Sequence, residues 1–343
     1  MKEDNPRNSI IIEGLWFLGK TMLAQYYCNR NGYKFVPEPI HISEGSSFDV
    51  GGDVDAWYLS EHAKRTEYLN ATHPVVLDRS ILASYAFLYA SGKQAPDSSA
   101  LEDFRRSVQA QSSLVVYLKS DGFALPQGVL SDKYYAGVKN VFSDEKSCER
   151  YDQWFTEKLP YEYGITPFVL RVSEKNVRKK TEQMAEEIRA VLSCNRVAQV
   201  NVVCYWQDMS DTKILVLKRN TRKGGFWQTI TGGIHVGESL EGAAEREVLE
   251  ETGLTRTNNS HVFSIGKKYS FPGNDGYTLD EYVFAFRVDD MAAVKISEEH
   301  DDSEWLGVEE AKKRLAYENN RMAIDSVYIK TGNLSIGLPE IYT

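Results

Sequence analysis

Three glutamates in the second half of the chain, Glu247, Glu250 and Glu251, stand three and one positions apart. On a helix, residues related by i, i+3 and i+4 share a face, so this spacing predicts that their carboxylates converge. Three like charges on one face are unfavourable without a counter-charge. A hard divalent cation with oxygen ligands, magnesium or manganese, supplies it. Arg246 precedes the cluster, and the surrounding run TGGIHVGESLEGAAEREVLEETGL, from Thr231 to Leu254, holds Gly232, Gly233, Gly237 and Gly253. The first pair permits close backbone approach, Gly237 an unusual turn and Gly253 a helix end. The first half carries a second constellation: Gly14, Gly19, Lys20 and Thr21 satisfy G-x-x-x-x-G-K-[ST] between the strand-like SIIIE and the helix-like MLAQYYCNRN. In that context backbone N–H groups and a helix N-terminus surround phosphates, with the lysine on the β/γ-phosphates and the threonine on Mg²⁺.

With Gly232, Glu238 and the run from Arg246 to Leu254 at their mutual spacing, the C-terminal segment resembles the Nudix box at every fixed position. The resemblance implies a Mg²⁺- or Mn²⁺-dependent diphosphohydrolase. Glu247, Glu250 and Glu251 would be metal ligands, Glu250 and Glu251 serving catalysis together with Arg246, which orients the cluster. Glu238 would support the loop and helix, with Gly232 and Gly233 beside the substrate. The segments FWQTITGG before the box and EEHDDSEWLGVEEAKKRL and NNRMAI after it are similar to the Nudix branch of dihydroneopterin triphosphate and dATP diphosphatases, which release a monophosphate and pyrophosphate. Phe226, Trp227 and Tyr269 are either stacking surface for a base or core and strand residues. Glu298 or Glu299, next to His300, is either a further carboxylate for the site or a loop acid in water.

The N-terminal run DRSILASYAFLY and the pair Glu38-Pro39 resemble thymidylate kinases and deoxynucleoside kinases, over roughly residues 9–192. That likeness implies ATP as phosphoryl donor, Glu38 as base at the acceptor hydroxyl, and Asp78 and Arg79 beside the metal and phosphates. The chain departs from that family in two places. Trp16, Phe17 and Leu18 crowd the phosphate loop, and residues 131–150 offer Lys133, Lys139, Lys146 and Arg150 but no arginine pair. Two functions are therefore open. One is a bifunctional enzyme of nucleotide metabolism, with a hydrolase that makes a monophosphate and a kinase for nucleosides or monophosphates. The other is a non-catalytic nucleotide-binding module regulating a hydrolase of sugar or dinucleotide diphosphates.

The elements that must position these residues fall into an α/β pattern. Strand-like SIIIEG, VVLDRS and LVVYLKS alternate with helical stretches, predicting an N-terminal parallel sheet with helices on both faces. Val177, Met184, Ile188 and Leu192 stand at helical spacings and predict one terminal helix over residues 173–192. The texture then turns to β-rich VAQVNVVCYW and KILVLKR, placing a domain boundary near Asn195, with domains 1–195 and 196–343. The Nudix likeness implies an α/β/α sandwich with a mixed sheet for the second. A chain of 343 residues has length for two such cores. A net charge of −9 argues against a general nucleic-acid binder and leaves small-molecule nucleotides as the expected partners. No apolar run approaches the roughly 20 residues of a membrane helix. The polar start MKEDNPRNS lacks a secretory signal, so a cytoplasmic location is expected. Cys28, Cys148, Cys194 and Cys204 lack zinc or disulfide spacing and are expected to be reduced. The sequence leaves the oligomeric state open.

Overall fold

The computed structural model describes residues 8–16, 18–39, 54–94, 99–120, 144–174, 177–208, 211–257, 260–272, 278–291 and 294–332. Phe17, Lys133 and Lys139 lie outside them. The chain divides into two compact units, one of residues up to Val197 and one, apart from Val236–Glu238, of residues from Ala198 onward.

The first unit begins with β1 (Ile10–Gly14), followed by α1 (Lys20–Asn31), β2 (Lys34–Val36), α2 (Val54–Lys64), α3 (Thr66–Leu69), β3 (Val75–Asp78), α4 (Ile81–Ala90), α5 (Ser99–Ala110) and β4 (Leu114–Lys119). Next, α6 (Glu145–Gln153) runs through a π turn (Trp154–Lys158) into α7 (Leu159–Tyr163), and β5 (Phe168–Arg171) completes a sheet ordered β2-β3-β1-β4-β5. Every pairing in it is parallel. The uninterrupted apolar runs of β1, β3 and β4 suit strands covered on both faces, and these strands are almost wholly buried. Right-handed crossovers place α1 and α4 on opposite faces, since the chain leaves β1 and β3 in opposite directions across the sheet. The connection from β1 leads toward one edge and that from β4 toward the other. Their carboxyl ends form the switch point where open α/β sheets bind ligands.

The terminal helix is shorter than its apolar spacing predicts. It starts at Thr181 (α8, Thr181–Cys194), and the preceding residues pair as two short antiparallel strands, β6 (Ser173–Glu174) and β7 (Val177–Arg178). Val177 is 70% exposed, so its place in the periodic pattern was coincidental. The Gln183 side chain accepts from Lys180 N at 2.9 Å and so marks the true start, and Asn195 in the left-handed region ends the helix.

The second unit comprises β8 (Ala198–Gln207), β9 (Thr212–Arg219), β10 (Trp227–Gln228), β11 (Ile230–Ile234), α9 (Leu240–Thr252), β12 (Val262–Pro272), β13 (Thr278–Val288), β14 (His300–Gly307), α10 (Val308–Arg314) and α11 (Glu318–Gly332). Its seven strands form a mixed sheet: β8 runs parallel to β13, and the other pairs are antiparallel. Strand alternation sends Val203, Tyr205, Val216, Val283 and Ala285 into one core with Ala311, Leu315, Ala323, Ile324 and Val327 of the α10–α11 layer. The intervening residues, among them Val202, Leu217 and Phe284, are buried on the other face, where α9 packs. The result is an α/β/α sandwich. No helix among the described residues is long and apolar enough to cross a membrane.

Candidate functional site

The C-terminal site is built around α9. β11 enters it antiparallel to β8, with Gly232 opposite Val200, and a turn through Gly237 at φ 81° leads to Ser239. The Ser239 side chain accepts a hydrogen bond from Gly242 N at 3.1 Å and so caps the helix, which Gly253 at φ 69° ends. Ser239→Ala is expected to cost about 1 kcal/mol of stability, read as a lower urea midpoint at unchanged slope.

Leu240, Ala243, Ala244 and Val248 form the buried stripe of this helix, and Glu247 and Glu251 lie on the same stripe. Two carboxylates are thereby turned toward the sheet. Burial and then the neighbouring Glu247 charge push the Glu251 carboxyl up to about 9, and its Oε2 has no hydrogen-bond partner among the described residues. Glu247 rests on the backbone of β11: a Cβ on Gly232 would lie 1.8 Å from the Glu247 Cδ, so position 232 admits only glycine while that carboxylate stays in place. Arg246 fastens the assembly, with Nη1 2.5 Å from Glu247 Oε1 and 3.3 Å from Glu250 Oε2, and Nη2 donating to Gly233 O at 2.7 Å.

Glu250 departs from the expected convergence. Its side chain is 57% exposed and turned to Arg246, and among the described residues no three His, Cys, Asp or Glu side chains are gathered into a preformed cation cage. The guanidinium supplies the counter-charge that sequence spacing assigned to a metal. The donor chemistry still fits a hard cation, because two inward carboxylates meet, one with an orphaned oxygen, and the third is free to turn in.

Residues outside the motif complete the surroundings. Glu299 pairs with Arg219 at 2.9 Å and Lys223 at 2.7 Å, and the Lys223 hydrogen bond holds its carboxyl below the usual range. The Glu298 carbonyl accepts from Asn220 Nδ2 at 3.0 Å. His300 lies with Nε2 3.8 Å from Glu251 Oε2, and burial followed by the Arg219 charge pushes its imidazole down to about 4. Of the aromatic candidates, Trp227 and Tyr269 pack against the core of the α10–α11 face. Trp227 also carries Arg314 5.0 Å from its ring, and Tyr269 Oη lies 3.0 Å from Ser326 Oγ. Phe226 meets Tyr317 edge-on at 5.0 Å. Neither His300 nor Arg219 stands out in the sequence. The only hint is the placing of His300 beside two acids at a strand start.

The N-terminal site gathers at the carboxyl ends of β1 and β3. Gly14, at φ 139°, ends β1 where a Cβ would come within 2.8 Å of Leu118 O, and Gly19, at φ 86°, opens α1. Lys20 is buried and donates to Leu15 O at 2.7 Å; burial and the Arg79 charge push its ammonium down to about 7. Thr21 Oγ1 donates to Asp78 Oδ2 at 2.5 Å. Arg79 is wholly buried at φ 69°, with its Nε 2.9 Å from Glu38 Oε1 and its guanidinium 3.8 Å from the Trp16 ring. Burial alone would lower its pKa, but Glu38 and the other nearby acidic groups outweigh that and raise it.

Three more residues that no motif singled out join this cluster. Glu13, wholly buried, accepts from Ser80 N at 2.8 Å and Ser80 Oγ at 2.6 Å, and burial pushes it up to about 7. A carboxylate ending the apolar run SIIIE was its only sequence signal. Arg65 donates to Arg79 O, Pro37 O, Val36 O and Asp78 O at 3.0, 2.6, 3.1 and 3.0 Å. His62 Nδ1 lies 2.8 Å from Ser84 Oγ. Among the described residues Glu13 Oε2 and Asp78 Oδ1 are buried without hydrogen-bond partners. Lys146 and Arg150, from the expected lid, lie on α6, where Arg150 donates to Ala90 O at 2.7 Å.

The sequence profile of the family described as NUDIX domain matches residues 197–325. An octanoyltransferase of Myxococcus xanthus is 35% identical over 118 residues, 33% of this chain and 32% of that protein. The NAD-capped RNA hydrolase NudC of Vibrio cholerae is 33% identical over 99 residues, 28% of this chain and 34% of that one. This chain therefore spans about a third of the length of these curated relatives. Among solved structures, the E. coli dihydroneopterin triphosphate pyrophosphohydrolase is 25% identical, covering 39% of this chain and 95% of its own, with a TM-score of 0.35.

Proposed function

Given the Nudix domain at residues 197–325, we propose that the C-terminal unit, residues 196–343, hydrolyses a (deoxy)nucleoside triphosphate or related nucleoside diphosphate derivative to a monophosphate. The observation that carries this reading is the pair Glu247 and Glu251, turned inward against the glycines of β11 and braced by Arg246. Glu247, Glu250 and Glu251 would hold Mg²⁺ or Mn²⁺. Such an ion, when bound, polarises a phosphoryl oxygen and lowers the pKa of the attacking water. Arg246 keeps Glu247 pressed to Gly232 and ties Gly233 into the same corner, so the carboxylates and the strand that would border the phosphates keep one geometry. Glu250, whose only partner among the described residues is Arg246 in a partly exposed ion pair, is the ligand that would turn in on loading. Phe226, edge-on to Tyr317 at 5.0 Å, and Trp227 would offer stacking surface to a base.

Product analysis tests the reading. Incubation with nucleoside triphosphates is expected to release pyrophosphate and a monophosphate, resolved by mass spectrometry. Two monophosphates from a dinucleotide, with triphosphates untouched, would instead favour the linkage named in the NudC relatives, and an RNA bearing such a cap would then join the candidate substrates.

For the N-terminal unit, residues 1–195, we propose binding of a nucleotide, with ATP as the candidate donor. Gly14, Gly19 and Lys20 would surround phosphates, and Thr21 and Asp78 would hold Mg²⁺. Glu38 and Arg79 would face the acceptor and the transferring group. The buried Glu13 Oε2 and Asp78 Oδ1, without hydrogen-bond partners among the described residues, support it, since folds rarely leave such atoms without a ligand or water. Trp16 stacked on Arg79 favours the alternative, a nucleotide-binding module that transfers no phosphate. Transfer of label from ATP to a panel of nucleosides and monophosphates separates the two.

A further inference from the structure

Two buried polar atoms of the C-terminal unit face each other without bonding. His300 Nε2 and Glu251 Oε2 lie 3.8 Å apart, and neither has a hydrogen-bond partner among the described residues. Both side chains are more than nine-tenths buried. Their juxtaposition is fixed by the backbone. Ser297 N donates to Glu251 O at 3.2 Å, Lys295 N donates to Thr252 O at 2.8 Å, and His300 N closes the turn on Ser297 O at 3.1 Å. The segment carrying the imidazole is thus sewn to the last turn of α9. The other ring nitrogen, Nδ1, lies 3.4 Å from Ser297 Oγ. A proton on Nδ1, donated to that hydroxyl, leaves the Nε2 lone pair directed at the Glu251 carboxylate. The nearby cation Arg219 is already engaged by Glu299 at 2.9 Å.

A gap of 3.8 Å is too long for a hydrogen bond, yet it allows one nitrogen and one oxygen each to reach a single ion at about 2.0–2.2 Å. We propose that His300 is a nitrogen ligand of the cation held by Glu247 and Glu251, an assignment that rests on the Nudix reading above. Glu250 joins from solvent. An imidazole in the set changes the chemistry of the site: all-oxygen donors suit magnesium, whereas a nitrogen donor strengthens binding of manganese or cobalt(II) relative to magnesium.

Pulsed electron paramagnetic resonance on the full-length chain loaded with Mn²⁺ tests this directly. Wild type is expected to show ¹⁴N coupling from a directly bound imidazole. His300→Gln is expected to lose it and to weaken Mn²⁺ binding about tenfold, while Mg²⁺ binding changes less. Absence of ¹⁴N coupling in the wild type, the result if only a water bridges the two groups, overturns the assignment without recourse to any variant. Coupling that persists in His300→Gln overturns it equally. Hydrolysis assays on Glu250→Gln separate this failure from that of the underlying reading. If hydrolysis depends on Glu250 but no nitrogen is coupled, only the His300 ligand falls; if hydrolysis ignores Glu250, the cation site itself is misplaced.

Discussion

Stripping divalent cations with EDTA is expected to abolish hydrolysis and Mg²⁺ to restore it, and in the cation-replete protein Glu250→Gln is expected to lower kcat at least about 100-fold, on the order of 3 kcal/mol. The size of the effect follows from where Glu250 stands. Its side chain is 57% exposed, its only described partner is Arg246 at 3.3 Å, and it contributes nothing to the core. Glutamine keeps the shape and forfeits only a surface ion pair, which is worth little to stability. The lost anionic donor is therefore the whole of the change. Steady-state kinetics on variants matched by circular dichroism and melting temperature check it, and wild-type turnover by Glu250→Gln would remove Glu250 from the site.

Lys20→Ala is expected to weaken binding of Mg²⁺–ATP at least about 100-fold, read by titration calorimetry, while leaving hydrolysis by the C-terminal unit at its wild-type rate. Lys20 stands where a positive charge is disfavoured, burial and then Arg79 pushing its ammonium down to about 7. With a single described bond, to the Leu15 carbonyl, the amine is poised to exchange that bond for a phosphate, whose negative charge would favour the protonated form. Removing the ammonium also removes an electrostatic burden, so the fold is expected to survive. Slower hydrolysis by a folded Lys20→Ala protein would mean that the N-terminal unit regulates or feeds its neighbour.

The helix bearing the glutamates was legible from their spacing and from Gly253 at its end. The structure adds the Ser239 cap and the buried stripe through Leu240, Ala244 and Val248, and all of these agree on Leu240–Thr252, because local signals and packing demand the same limits there. The parallel sheet was legible for the same reason, its strands being unbroken apolar runs. The start of α8 was not: Val177 matched the helical period, but the Lys180–Gln183 cap outweighed it. Convergence of the three carboxylates was legible only in part. Spacing fixes which face a residue occupies, but the Arg246 hydrogen bonds and the closeness of Gly232 decide which carboxylate turns inward. His300, Glu13 and Arg65 escape the sequence because their meaning lies in contacts across distant segments, which periodicity cannot report.

Arg65 has a further thermodynamic consequence. Four of its five N–H directions go to main-chain oxygens at the ends of β2 and β3, the segments that continue into Glu38 and Arg79. These turns are ordered before any ligand arrives, so association need not immobilise them, and less conformational entropy is lost on binding. The same four bonds leave the guanidinium charge in place while occupying nearly all its donors. Arg65 thus stands as a fixed counter-ion for the acidic end of the sheet, and for the anion proposed to bind there it would lend positive potential without competing to grip it.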